Sequence, residues 1–405
     1  MKILMLSSSF PYPPSRGGTE VRTFNLLKYL AQRHQITLVT QPHAAVTEAE
    51  IAALRAEVTE LKLFDLPASP QAAPKLARLS GQMQRLAQSW LSNTPPNVLH
   101  RYSPEMQAYV TAALASREFA AVTCEHSVNE IYIQPEFQQL TKTVVDIHSS
   151  VYAWTRNHLE MGASQAASRD RLYLPLLKRY EQRYCRKFEQ IVVTTEDDRQ
   201  EIRQLCPEAQ IQVIPNGVDL DLFPCRRHDP SSCDLAFVGA MDASHNIDAA
   251  RFFALEVMPL LRQRYPSACF RIVGARPVPA VLELAAQPGI VVTGAVSSMV
   301  AELHKATVCV VPLRTGFGIK NKTLEAMAAG VPVVGSDRGL EGLAVERPLR
   351  ALRANCVEEY LEAIGRLFES AELREQLSAA GRIFVQREYT WEQAGAAYER
   401  VLNGS

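Results

Sequence analysis

Short apolar runs that alternate with segments of helical periodicity constrain this chain more than any other feature of its sequence. In the first half the runs are KILMLSS, QITLVTQ, FAAVTCEH, TKTVVDIHS and QIVVTT, with helical segments expected at 18–33 and 163–189. Such alternation builds a parallel sheet through right-handed crossovers. The rhythm restarts after IQVIPNGVD with CDLAFVGAM, CFRIVGA, IVVTGAV, TVCVVPL and VPVVGS, the first of these followed by a helical segment at 246–264. Pro207, Pro215, Pro224 and Pro230 mark the connection. The expectation is an α/β protein of two doubly wound domains, 1–210 and 211–385. The periodicity of 356–403 is helical, and the last part, 386–405, is expected to pack back on the first domain.

Composition agrees with two ordinary cores. The chain has 405 residues, 47% hydrophobic and 21% charged, close to globular averages. Lys plus Arg and Asp plus Glu are equal at 43 each, so no global field draws the protein to nucleic acid or to a membrane. Its 8 cysteines show neither a C-x-x-C pair nor zinc spacing and read as reduced thiols. The opening MKILMLSSSFPYPP reads as a buried first strand, and no run approaches the roughly 18 apolar residues of a membrane span. A cytoplasmic location is expected.

Ligands of open parallel sheets gather at the carboxyl ends of the strands, where helix N-termini offer unpaired N–H groups. Two stretches have that form. GFGIKNKTLEAMAAGVPVV, residues 316–334, runs from a glycine loop into a helix that carries Lys320, Lys322 and Glu325, with Arg314 just before it. Glycine lets backbone approach a phosphate, and a lysine three residues before a glutamate puts both on neighbouring helical positions. A phosphate joined to a hydroxylated group suits this junction; an exposed Lys–Glu helix pair after an ordinary turn is the plainer alternative. The second stretch, SSSFPYPPSRGGTEVRTF, passes through a proline-rich loop to Gly17 and Gly18 at the start of a helix.

GG-T-E before the first helix, VIPNGVDLDLF, FVGAM followed by Asn246, and GFGIKNKTLEAMAAGVPVV together resemble glycosyltransferase family 4, in order and over nearly the whole chain. The resemblance implies a retaining glycosyltransferase of GT-B fold, two Rossmann-like domains facing across a cleft. It implies that Glu325 binds the ribose hydroxyls of a nucleotide-sugar donor, that Gly17 and Gly18 lie beside its diphosphate, and that His148 in VVDIHSS lies near the donor sugar. Gly316, Gly318, Thr323 and Arg314 join the expected donor-binding set, with His148, Lys320 and Lys322 as the catalytic candidates. The G-I-K-N-K-x-L-E-A-M-A variant is similar to a subgroup associated with exopolysaccharide assembly. The acceptor is expected to be a glycan, a lipid-linked molecule or a small molecule; no cofactor, no metal and no nucleic acid is implied. A nucleotide-sugar epimerase, or a non-catalytic partner protein of the same fold, is the alternative.

Two departures from the family pattern stand out. Phe317 occupies the place of the usual acidic residue eight positions before Glu325, and Ala240 and Asn246 stand where a basic pair is common. The diphosphate charge must then be met elsewhere, and Arg314, Lys320 and Lys322 are the nearest candidates by sequence. The D-x-D of Asp219 and Asp221 reads as turn capping rather than as a metal site. Glu125 and His126 in VTCEHS offer an acid/base pair, but adjacent residues on a strand point to opposite faces, so at most one faces a cleft unless the strand has already ended.

Residues 66–104 hold Lys75, Arg78, Arg85 and Arg101 and no acid. Over 74–91, Leu76, Leu79, Met83, Leu86 and Trp90 fall on one helical stripe with Arg78 and Arg85 opposite. Such a helix either seats in its own domain or rests peripherally on an anionic membrane, each basic residue adding about 1 kcal/mol of salt-sensitive attraction. The membrane reading requires sedimentation with anionic but not neutral vesicles at low salt, lost on changing Arg78 and Arg85 to Glu; no sedimentation leaves only the first.

Overall fold

The computed structural model describes residues 1–14, 17–67, 88–160, 164, 166–316 and 318–404. The greater part of the 74–91 stripe, and Phe317, lie outside the described residues. The chain divides into two compact units, Met1–Ile214 with Gly395–Ser405, and Pro215–Ala394. The first unit therefore runs past 210, because the strand Ile211–Val213 pairs parallel with the first sheet instead of opening the second. Of the terminal helix Trp391–Asn403, the residues from Gly395 onward belong to the first unit.

The first unit holds seven parallel strands: β1 Lys2–Ser7, β2 Gln35–Thr40, β3 Glu60–Leu63, β4 Ala121–Glu125, β5 Lys142–Ile147, β6 Gln190–Val193 and β7 Ile211–Val213, in the order β3-β2-β1-β4-β5-β6-β7. The second holds six: β8 Asp234–Val238, β9 Cys269–Val273, β10 Ile290–Gly294, β11 Val308–Val311, β12 Val333–Gly335 and β13 Leu352–Arg353, in the order β10-β9-β8-β11-β12-β13. Central strands such as ILML in β1 and VCVV in β11 are fully buried, as strands covered by helices on both faces must be. Each sheet winds outward in two directions, and the reversal falls between β1 and β4 in one and between β8 and β11 in the other. Those are the places where loops at the carboxyl ends diverge and leave room for a ligand.

Helical segments are more divided than periodicity alone indicates. The region expected as one helix at 163–189 contains Ala167–Cys185, preceded by Val151–Glu160; 246–264 is Ser244–Phe252, a π-turn at Phe253–Val257 and Met258–Arg264; 356–403 is three helices, Val357–Glu369, Ala371–Glu388 and Trp391–Asn403.

A buried ionic network ties the first unit together. Arg22, on the helix Gly18–Ala31, donates from Nε and a terminal nitrogen to the two oxygens of Asp146 on β5, at 2.7 and 3.1 Å. Glu125 ends β4 directly across from Asp146. Its Oε1 accepts hydrogen bonds from Thr123, at 2.9 Å, and from Tyr398 of the terminal helix, at 2.8 Å. Arg22, Asp146, Glu125 and Tyr398 are each 1% exposed or less. Two carboxyls thus share one neighbourhood with one guanidinium. Burial, reinforced by the Asp146 charge, pushes Glu125 up from 4.5 to about 8, while Arg22 opposes the upward push of burial on Asp146. The Arg22 guanidinium favours the charged form of Asp146, and Glu125 holds a proton at neutral pH.

The consequence for stability has a definite sign. Between 4.5 and about 8 the unfolded chain has lost the Glu125 proton and the folded chain keeps it, so this group's contribution falls as pH rises through that window. Glu125→Gln, which mimics the protonated acid, is expected to flatten the decline in melting temperature between about pH 5 and about pH 9. A parallel decline in the variant and the wild type would show that Glu125 is ionised in the folded protein.

Candidate functional site

In the second unit the loops after β8 and β11 carry the residues that the sequence singles out. The loop after β11 turns through Gly316 at φ +103° and Gly318 at φ +75°, a conformation that strongly favours glycine, and delivers the chain to the helix Asn321–Ala328. Lys322 and Glu325 lie one turn apart on that helix, yet they form no ion pair. Lys322 Nζ donates instead to Asn246 Oδ1 at 2.5 Å and sits 4.3 Å from the centre of the Phe237 ring. Glu325 has no side-chain hydrogen bond or ion-pair partner among the described residues. Both side chains retain a partly exposed edge. Protein nevertheless crowds them: burial lowers Lys322 to about 7 and raises Glu325 to about 7, and each is drawn back by the other's charge.

The other cations at this junction are committed. Arg314 makes a two-pronged pair with Asp248 and stacks 5.0 Å from the centre of the Phe252 ring. Lys320 donates to the Gly318 carbonyl and lies 3.2 Å from Glu341, which Arg338 also engages at 2.8 Å. Thr323, expected among the donor-binding groups, is fully buried and gives its hydroxyl proton to the Gly339 carbonyl at 2.8 Å, so it fastens the loop after β12. Asn216 of the IPNGVD segment donates to Asn321 at the start of the helix. Asp219 accepts from the backbone N–H groups of Asp221 and Leu222, the capping role expected of it. Among the described residues no cluster of three or more His, Cys, Asp or Glu side chains is arranged to hold a metal ion.

In the first unit the reversal between β1 and β4 gathers a different set. β4 ends at Glu125, and His126 turns away at φ +79° with its N–H on the Asp146 carbonyl. The strand has therefore already ended, and the alternation of faces does not separate these two residues. His148 follows β5, its ring centre 5.3 Å from that of His126 in an edge-on contact. Burial holds His126 down to about 4 and His148 well below the usual histidine range, so both imidazoles are neutral near pH 7. His148 Nε2 is buried with no hydrogen-bond partner among the described residues. Such an orphan is costly unless a ligand completes it. Gly17 is the N-cap of the helix Gly18–Ala31 with extended backbone, and the space that a Cβ on Gly18 would occupy is empty. A Cβ on Gly17 would instead lie 2.7 Å from Glu20 Oε2, so the approach is open at Gly18 and closed by Glu20 at Gly17, and neither glycine is required for an unusual dihedral.

His126 and Asn246 are the site residues that motif reasoning left without a role. Asn246 was visible as part of the family resemblance and as a departure from a basic position, with no role of its own, and the Arg22–Asp146 pair gave no local signal at all.

Comparison with known proteins agrees with this architecture. The family model described as Glycosyltransferase Family 4 matches residues 16–222, just over half of the chain, and the model described as Glycosyl transferases group 1 matches residues 232–370. No curated protein matches the sequence. Among solved structures, a sucrose-phosphate synthase from Thermosynechococcus elongatus superposes with a TM-score of 0.70 at 18% identity, covering 100% of both chains. HepE from Anabaena, solved with UDP-glucose, gives 0.63 at 14% identity over 100% of both chains. TarM from S. aureus, solved with UDP and glycan ligands, gives 0.67 at 12% identity over 99% of each chain. Family models on both units, and two parallel sheets whose winding reverses where the site residues collect, make this chain a glycosyltransferase of family 4 with the two Rossmann-like domains of the GT-B fold.

Proposed function

We propose that the protein moves a sugar, with retention, from a nucleoside-diphospho-sugar to a glycan, lipid-linked or small-molecule acceptor in polysaccharide assembly. The reaction is assigned to the cytoplasm, without a metal, and with optional peripheral contact to an anionic membrane through 74–91. The observation that carries this reading is the pairing, one helical turn apart at the β8–β11 reversal, of Glu325, a carboxylate with no hydrogen bond or ion pair among the described residues, with Lys322, whose ammonium is held by an amide. A carboxylate accepts two hydrogen bonds from vicinal ribose hydroxyls, and an ammonium nearby receives the diphosphate that follows the ribose.

In such a transfer the bond that breaks joins the anomeric carbon to the diphosphate oxygen, and negative charge grows on the diphosphate. Groups that meet that growing charge lower the barrier more than they strengthen ground-state binding. Lys322 and the N–H groups opening the helix Asn321–Ala328 are placed for this work. Lys320, held by Glu341 and the Gly318 carbonyl, shapes the loop, and Arg314 is similarly held by Asp248. The neutral His148, with one ring nitrogen unpartnered, supplies a hydrogen bond to the sugar rather than a charge. HepE was solved with UDP-glucose and TarM with UDP, so uridine nucleotides lead the donor screen.

The direct test is a panel of nucleotide sugars scored first by thermal shift, since a bound donor raises the melting temperature. Release of nucleoside diphosphate with and without an acceptor glycan follows. Acceptor-dependent release supports a transferase; binding without turnover would favour a non-catalytic partner protein, and release of free nucleotide without any transferred sugar would favour an epimerase. Glu325→Ala is expected to weaken donor binding by about 1–3 kcal/mol in a folded protein, and unchanged affinity would remove Glu325 from the site. His148→Ala is expected to abolish transfer while nucleoside diphosphate still binds; loss of nucleotide binding with the fold intact would place the histidine elsewhere.

A further inference from the structure

Asn246 stands in the first turn of the helix Ser244–Phe252, directly after β8, and is only 4% exposed. Both ends of its amide are engaged: Nδ2 donates to the Ala240 carbonyl at 2.8 Å, which fixes the side chain so that Oδ1 faces Lys322 Nζ at 2.5 Å. Phe237 on β8 offers its ring face to the same ammonium. The turn beneath them requires Gly239, because a Cβ there would lie 2.8 Å from both Asn246 Nδ2 and Lys322 Nζ. Three residues that follow or end one strand thus build a seat for a cation that arrives from another, 76 residues away.

The seat is neutral. Around this junction Arg314 faces Asp248, and Lys320 and Arg338 face Glu341, but the oxygen that holds Lys322 belongs to an amide. An acid in the same place would fix the ammonium equally well and cancel its charge. An amide fixes the position and leaves the charge for an incoming anion.

We propose that Asn246 is a positioning residue for the transfer reaction: its amide holds the Lys322 ammonium over the Gly239 turn, in no ion pair with the described residues, so that the diphosphate of the donor is its counter-ion. The proposal rests on the reading of Lys322 as the diphosphate-binding group. The charged and titratable groups facing Lys322 are Glu325 and Lys320 on its own segment and Cys309 on β11; burial is the largest influence and lowers the lysine to about 7. Diphosphate binding then favours the protonated lysine and draws a proton from solvent above that pH, so affinity declines on the alkaline side.

The test uses the full chain with UDP, ADP and GDP, each beside its nucleoside, titrated calorimetrically in buffers of different ionisation enthalpy from about pH 6 to about pH 9. Asn246→Leu is expected to weaken diphosphate binding about tenfold and to leave nucleoside binding unchanged. Asn246→Asp is expected to keep the lysine protonated, to remove the proton uptake that accompanies binding, and to move the alkaline decline to higher pH. In a Lys322→Met background the Leu substitution should have no further effect, because the amide acts through the lysine. If Lys322→Met leaves diphosphate binding as it was, the underlying reading of Lys322 fails. If Lys322→Met weakens binding but Asn246→Leu and Asn246→Asp change neither affinity nor pH profile, that reading stands and the role of Asn246 is overturned. Equal losses from Asn246→Leu with and without Lys322 would also overturn it, as they would mark a purely structural residue.

Discussion

A parallel sheet wound in both directions must reverse once, and at the reversal two neighbouring strands send their loops to opposite faces. Every functional candidate in this protein depends on that constraint. In the first sheet it opens the ends of β1, β4 and β5, where Gly17, His126 and His148 collect; in the second it opens the ends of β8 and β11, where Asn246, Lys322 and Glu325 collect. The chain needs no long excursions to build either site. His126 and His148 each directly follow a buried strand, while Gly17, Asn246, Lys322 and Glu325 are carried at the cap or on the first turns of the helix that comes next.

The fixing is ionic in one unit and amide-based in the other. Arg22 reaches across from the first helix to Asp146 and holds that helix against β5, just below His148. Burying an ion pair gains little by itself, but removing one partner from such a pair strands a charge at a cost of about 3–5 kcal/mol. The arrangement therefore specifies geometry more than it adds stability. Glu125, protonated and bonded to Tyr398, extends the same specification to the terminal helix residues of that unit.

The sequence showed the fold through its central strands, because strands covered on both faces read as continuous apolar runs. It was poor at the margins. β3, with the sequence ELKL and an edge position, has no run to see; β7 looks like the opening of the second rhythm because periodicity says nothing about which sheet a strand joins. Lys322 and Glu325 were legible since both lie on one short helix after a glycine loop. The contacts that give them meaning were not. Asn246 lies 76 residues from Lys322, Arg22 lies 124 from Asp146, and Tyr398 lies 273 from Glu125, and no local pattern encodes such meetings. Thr323 misled for the opposite reason: its neighbours in sequence are site residues, but one position around a helix turns a side chain by about 100°, here into the core.

Two kinds of buried ionisable group result, and their surroundings separate structure from function. Glu125 is sealed, with internal donors on one oxygen, so its proton is fixed by the fold and exchanges only at the expense of the fold. Lys322 and Glu325 are also displaced from their ordinary values, both to about 7, but each keeps an edge open to solvent and the Glu325 carboxyl has no hydrogen-bond partner among the described residues. Near that pH the empty pair can sit close to neutral and escape the desolvation penalty of two buried charges. A ligand that brings hydroxyl donors to the glutamate and an anion to the lysine restores both charges at once, each with its own counterpart. Displaced protonation equilibria point to a binding site only where the geometry also leaves a partner to come from outside.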